Sequence, residues 1–115
     1  MSSPLFDAYL RFLELSRAMT ERHASELDAN HRALLDAIVL AWHRGQALTV
    51  RQCIGLKALG SPATLHKRLM LLRSSGMIVE TPKPGDRRTI LLAPSDKSVR
   101  YFCDLGQALQ PQGQS

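Results

Sequence analysis

The sequence predicts a mainly α fold class with one small β-hairpin, and three observations carry that expectation. Apolar residues recur at three- and four-residue spacing through most of the chain, the period of a helix with one buried face. Capping residues precede these repeats and glycines follow them. Two short runs, "MIV" and "ILL", read as the strands of a hairpin, and Lys83-Pro84-Gly85-Asp86-Arg87-Arg88 stands between them.

Pro4 to about His23 forms the first predicted helix, with Ser3 as its cap and proline at its first position. Leu5, Tyr9, Phe12 and Met19 make one apolar stripe, which Phe6, Leu10 and Leu13 widen. A stripe this broad must bury against its own core or against a second subunit. Asp28 caps a second helix reaching about Arg44, with Gly45 as its stop. Leu34, Leu35, Ile38, Val39, Leu40 and Trp42 leave that helix little polar face, so it is expected to be central and buried.

"ALT" offers a short extended link. Thr49 and Gln52 then match the capping box, in which a hydroxyl and an amide satisfy orphan backbone donors reciprocally. They open a third helix to about Ala58, with Val50, Cys53 and Ile54 inward. Gly60 ends it, Ser61 caps the next helix and Pro62 takes its first position. Helix four runs to Ser75 and stops at Gly76. Leu65, Leu69 and Leu72 form its core side. Ala63, Lys67, Met70 and Ser74 point the opposite way, flanked by His66 on one side and by Thr64 and Leu71 on the other.

Met77–Thr81 and Thr89–Leu92 are the expected hairpin strands, and Pro84-Gly85 suits the central positions of a type II turn. Pro94 starts a last helix on which Val99, Phe102, Leu105 and Leu109 recur. The polar "QPQGQS" is expected to fray. There is no internal repeat and no linker, so residues 1–115 read as a single domain, with a core at about 27–94 and terminal helices at about 4–23 and 94–109.

At 115 residues the chain has one domain's length, and 44% apolar residues can build its core. The longest apolar run, "AIVLAW", is far too short to cross a bilayer. Asp7, Arg11 and Glu14 interrupt the N-terminal segment, which excludes a secretory signal there. A soluble cytoplasmic protein with no membrane partner is the default expectation.

The net charge of +5 is unevenly spread. Met1–Trp42 carries four basic and six acidic residues (−2), whereas His43–Ile90 carries nine basic residues against Glu80 and Asp86 (+7). A positive field concentrated in one segment is what a docking polyanion requires; solvated surface charge is the plainer alternative.

Two short helices joined by a glycine-containing turn and followed at once by a hairpin make the winged helix-turn-helix arrangement. A helix fits the major groove and presents its first turns to base edges. The residues placed to do so are Ser61, Thr64, His66 and Lys67, with Pro62 and Ala63 close to backbone or bases. Arg68 and Arg73 lie nearer the core flanks, where phosphate contact and intramolecular pairing are both open. No Asn, Gln or Arg points squarely outward, so the helix is thin in bidentate readers. The hairpin tip is narrow enough for a minor groove, which attracts Arg where A·T tracts narrow it. Lys83, Arg87 and Arg88 stand there. Asp86, repelled by DNA, is expected to hold Arg88 and leave Arg87 free to insert; an exposed ion pair of little consequence is the alternative.

From about Leu27 to Pro94 the chain resembles the winged-helix core of MarR-type transcriptional regulators. The resemblance rests on Leu27-Asp28, Thr49-Val50-Arg51-Gln52, Ser61-Pro62-Ala63-Thr64-Leu65-His66-Lys67, Leu72, Gly76-Met77-Ile78 and Asp86-Arg87-Arg88. It implies a homodimer on pseudo-palindromic double-stranded DNA, with helices from both chain ends at the dimer interface. Leu5, Phe6, Tyr9, Phe12, Leu13, Val99, Phe102, Leu105 and Leu109 are the residues it places there. Two departures stand out: Leu92-Ala93-Pro94-Ser95-Asp96 replaces the family's usual Leu-Thr followed by Gly, and the C-terminal helices are shorter. The family's effector pocket lies between the dimerisation helices and the DNA-binding lobe, and no small-molecule effector is assigned here.

No cofactor, metal or reaction is expected. Cys53 falls on a core face and Cys103 stands apart from it, and neither matches a metal spacing or a disulfide framework. His23, His31, His43 and His66 form no ligand pair, and there is no nucleophile–base arrangement or phosphate-cradling loop. The chain is thus read as a sequence-preferring, dimeric bacterial transcriptional repressor and not an enzyme. The alternatives are a winged-helix protein–protein adaptor, or a plasmid or phage replication, partition or architectural DNA-binding protein.

Overall fold

The computed structural model describes residues 3–110. Its elements run α1 (Pro4–Ala24), α2 (Ala29–His43), α3 (Val50–Ile54), a 3-10 turn (Lys57–Leu59), α4 (Pro62–Ser74), β1 (Ile78–Lys83), β2 (Asp86–Pro94) and α5 (Asp96–Gln107). The strands pair antiparallel as a two-stranded sheet. Most of the "QPQGQS" tail, and with it the expected fraying, lies outside the described residues.

Local hydrogen bonds explain where the helices begin. Ser3 accepts from the Phe6 N–H and Asp28 from the His31 N–H, while Thr49 and Gln52 complete the expected capping box. Ser61 and Pro62 open α4 as the sequence predicts. The core gathers Leu34, Leu35 and Ile38 from α2, Cys53 from α3, and Leu65, Leu69 and Leu72 from α4. Met77, Ile78, Leu92 and Tyr101 close it from the hairpin and α5. The C-terminal half of α1 joins it through Ala24 and Met19. Thr20 and Tyr101 share a hydroxyl–hydroxyl bond of 2.7 Å, and His23 Nε2 lies 2.6 Å from Asp104 Oδ2.

Several expectations need correction. Helix α3 stops at Ile54 rather than Ala58, because the chain breaks at Gly55 and tightens into the 3-10 turn. "ALT" forms no strand; the Leu92 N–H ties it to the hairpin by donating to the Leu48 carbonyl at 2.8 Å. Pro94 does not start α5. It ends β2 opposite Ile78, where no ladder donor is required of it, and Ser95 caps the helix. Helix α2 is not buried all round: Leu40 and Trp42 are about half exposed beside Phe102 of α5. No described helix is long and apolar enough to cross a membrane.

Candidate nucleic-acid interface

The turn into α4 is built to a tight specification. Gly60 has φ +150° and ψ −179°, a region that side chains exclude. A Cβ there would lie 3.4 Å from Nη1 of Arg68. That same Nη1 donates to the Leu59 carbonyl at 2.9 Å, so Arg68 braces the turn from inside. Ser61 Oγ accepts from the Thr64 N–H and donates to Thr64 Oγ1 at 3.0 Å, tying the two hydroxyls together. Leu65, Leu69 and Leu72 are buried as predicted, which turns Ala63, Lys67, Met70 and Ser74 to solvent. Ser61, Pro62 and His66 are exposed as well, and Thr64 is half-buried.

The second part of the surface is the hairpin tip. Pro84 and Gly85 occupy the turn, and Gly85 has the positive φ (+83°) that a type II turn demands at its third residue. The ladder is regular from Ile78↔Pro94 to Pro82↔Ile90, after which Lys83 pairs with Asp86. Arg87, Arg88 and Thr89 are thereby left as an unpaired bulge on β2. Pro82 lies at the break, where its missing N–H matters least. Lys83, Arg87 and Arg88 are all exposed on this bulged tip.

Asp86 engages Arg88, the residue it is expected to hold, but through the main chain and not the guanidinium. Its Oδ1 accepts from the Arg88 backbone N–H at 3.1 Å, and its Oδ2 accepts from Thr89 Oγ1 at 2.7 Å. The Thr89 hydroxyl, then the Arg88 N–H, hold the Asp86 carboxyl below the usual carboxylate range, with the nearby Lys83 charge adding to the effect. The carboxylate therefore shapes the backbone of the bulge. Thr89 is the partner that sequence reading missed, although an acceptor three residues before a hydroxyl is a recognisable local pattern.

A second missed contact joins the two parts. Arg73, in the last turn of α4, pairs with Glu80 of β1 (Nη2–Oε1 2.7 Å). Of the two roles the sequence leaves open for it, the free chain shows the intramolecular pairing. The terminal residues assigned to dimerisation divide into two sets. Leu5, Phe6, Tyr9, Leu13, Val99 and Leu109 are exposed, whereas Phe12 is half-buried and Phe102 and Leu105 pack partly against the chain's own core. Among the described residues no group of three or more His, Cys, Asp and Glu could hold a metal ion.

Solved structures share this architecture. RV1404 from Mycobacterium tuberculosis superposes with a TM-score of 0.62 at 14% identity, over 95% of this chain and 75% of that one. A MepR mutant from S. aureus bound to an oligodeoxyribonucleotide gives 0.59 at 14% identity, over 86% and 68%. A MarR mutant from E. coli complexed with operator DNA gives 0.53 at 17% identity, over 92% and 74%. No protein-family model matches the chain, and neither does any curated protein. The fold is the winged-helix fold of MarR-type transcription regulators.

Proposed function

We propose that the chain is a sequence-preferring double-stranded DNA-binding protein, a cytoplasmic transcriptional repressor that acts as a homodimer. The observation that carries this reading is the pairing of two exposed surfaces on one winged-helix scaffold: the outward face of α4 and the basic bulge at the hairpin tip. The first turns of α4, with Ser61, Pro62, Ala63, Thr64, His66 and Lys67, enter the major groove. Lys67 donates to guanine acceptors, and His66 donates to guanine or phosphate. The wing, with Lys83, Arg87 and Arg88, follows the adjacent minor groove. Arg68 serves the interface indirectly, through the turn it braces. Two proteins of the same fold, the MepR mutant bound to an oligodeoxyribonucleotide and the MarR mutant complexed with operator DNA, support the same reading.

The exposed apolar face of α1, from Leu5 to Leu13, with Val99 of α5 and Leu109 just past it, supports a dimer through the terminal helices. Two copies would then place their α4 helices on half-sites about one helical turn, ~34 Å, apart. Selection of bound sequences from a random duplex pool, at moderate salt with heparin as competitor, tests the proposal. Recovery of an inverted repeat with A·T-rich flanks is expected. A pool that emerges without enrichment contradicts sequence preference, and failure to retain any duplex points to the protein–protein adaptor instead.

A further inference from the structure

The two strands of the wing lean unevenly on the body: β2 buries Leu92 and Ala93 and half-buries Thr89 to Leu91, whereas β1 is covered only at its start. Ile78 is buried, but Val79 through Lys83 are exposed along β1, and Asp86 to Arg88 are exposed along β2. The root is tied down from several sides. Ser98 Oγ and the Ser95 N–H both donate to the Met77 carbonyl, Lys97 Nζ donates to the Ser75 carbonyl at 2.9 Å, and the Leu92 N–H reaches the Leu48 carbonyl. These bonds determine where the wing starts. They leave the β1 flank beyond Ile78 to be positioned by contacts further along the strand.

Two residues along β1 from Ile78, opposite Leu92, Glu80 Oε1 meets Nη2 of Arg73 at 2.7 Å. The same guanidinium turns Nη1 toward the thioether of Met70 at 3.9 Å, and Met70 lies on the outward face of α4 with Lys67. One arginine therefore spans the groove-facing side of the helix and the flank of the wing. We infer that Arg73 and Glu80 are positioning residues: their ion pair sets the angle between α4 and the wing, and so the separation of the two groove contacts. The inference rests on the DNA-binding reading above.

As a contribution to fold stability an exposed pair of this kind is minor. Its leverage lies in binding. A protein that engages two grooves at once loses affinity if one element must first be ordered relative to the other, and preorganisation removes that loss. Direct use of Arg73 on a phosphate is the competing role, and it makes the opposite prediction for Glu80. Removing a carboxylate near a phosphate contact should tighten binding, whereas removing half of a strut should weaken it.

Arg73→Gln, Glu80→Gln and the exchange R73E/E80R, each in the full chain, test this by titration of the selected A·T-flanked duplex. Both single variants should bind about three- to fivefold more weakly, the scale of an exposed pair. Arg87→Ala should add less loss in either of them than in the wild type, and the exchange should recover wild-type affinity. Tighter binding by Glu80→Gln, or an exchange no better than the singles, overturns the strut. Residual dipolar couplings of the hairpin amides in the DNA-free chain give an independent measure. In the wild type they should fit the alignment of α4, and in both single variants they should shrink and depart from it. Unchanged couplings in the variants overturn the strut alone, whereas a wild-type chain that retains no duplex overturns the DNA-binding reading itself.

Discussion

The backbone N–H of Arg88 donates to Asp86 Oδ1 at 3.1 Å, so the one acidic residue at the wing tip grips main chain rather than a guanidinium. With the 2.7 Å bond from Thr89, this closes the bulge into a defined shape and leaves the Arg87 and Arg88 side chains outside the latch. Asp86→Ala removes both the latch and a charge that repels DNA. If shape matters more, binding to A·T-flanked sites falls relative to random duplex; titrations on the two DNAs measure that ratio. A uniform rise on both would reduce Asp86 to a repulsive charge. The latch has a pH sign as well. The folded pKa is depressed, so the stabilisation is present above the ordinary value of 3.8 and is lost as pH falls through the folded value.

Electrostatics should dominate the salt response. If each protomer neutralises three to five phosphates, log K falls with log salt at a slope of about −5 to −9 for the dimer. Arg87→Ala should make the slope shallower by about one per protomer and cost most on A·T-flanked DNA. A slope near zero by fluorescence titration would contradict the polyanion partner.

Light scattering should return twice the 12.8 kDa chain mass at micromolar concentration. Phe6 is 55% exposed and outside the core, so Phe6→Glu should yield a monomer that keeps its helical circular dichroism. A wild-type chain that already runs as a monomer would contradict the dimer.

Gly60→Ala should destabilise the fold by about 1–3 kcal/mol, the usual cost of a side chain in so sparsely populated a backbone region. The new methyl also meets the Arg68 guanidinium, so relaxation there would loosen the start of α4. Urea unfolding reads the first effect, and amide exchange at Thr64 and Leu65 reads the second.

Burial pushes the Cys53 thiol up to about 11, while Cys103 is exposed. Maleimide at neutral pH should therefore modify Cys103 in the native chain and reach Cys53 only on unfolding. Because the folded pKa lies above the ordinary 9.0, this thiol's contribution to stability is complete below that pH. It is lost as pH rises toward 11.

What sequence reading caught, and what it missed, follows the range of the interactions involved. Helix starts at Ser3, Asp28, Thr49 and Ser61 depend on bonds to residues three positions on, and a short motif records them fully. The Leu65–Leu69–Leu72 face follows from helical periodicity alone. The contact between Arg73 and Glu80 depends on how the chain turns at Gly76, and no spacing rule encodes that. Pro94 satisfied a helix-start rule, yet a strand partner at Ile78 claimed it, since a proline at a strand end is also unstrained. Leu40 and Trp42 read as core because an all-round apolar helix implies cover, and on that side the chain itself supplies only part of it.

The unpaired stretch at Arg87–Thr89 separates two properties that a regular hairpin couples. In an uninterrupted ladder, one inserted residue flips every side chain beyond it to the opposite face. Here the slack is confined to the tip, while the pairing from Ile78↔Pro94 to Pro82↔Ile90 keeps its alternation. Residues could be added to or deleted from the bulge without disturbing Leu92 in the core. The tip is thus an exchangeable cartridge on a fixed mount, and wing reach can diverge or be engineered at little risk to folding.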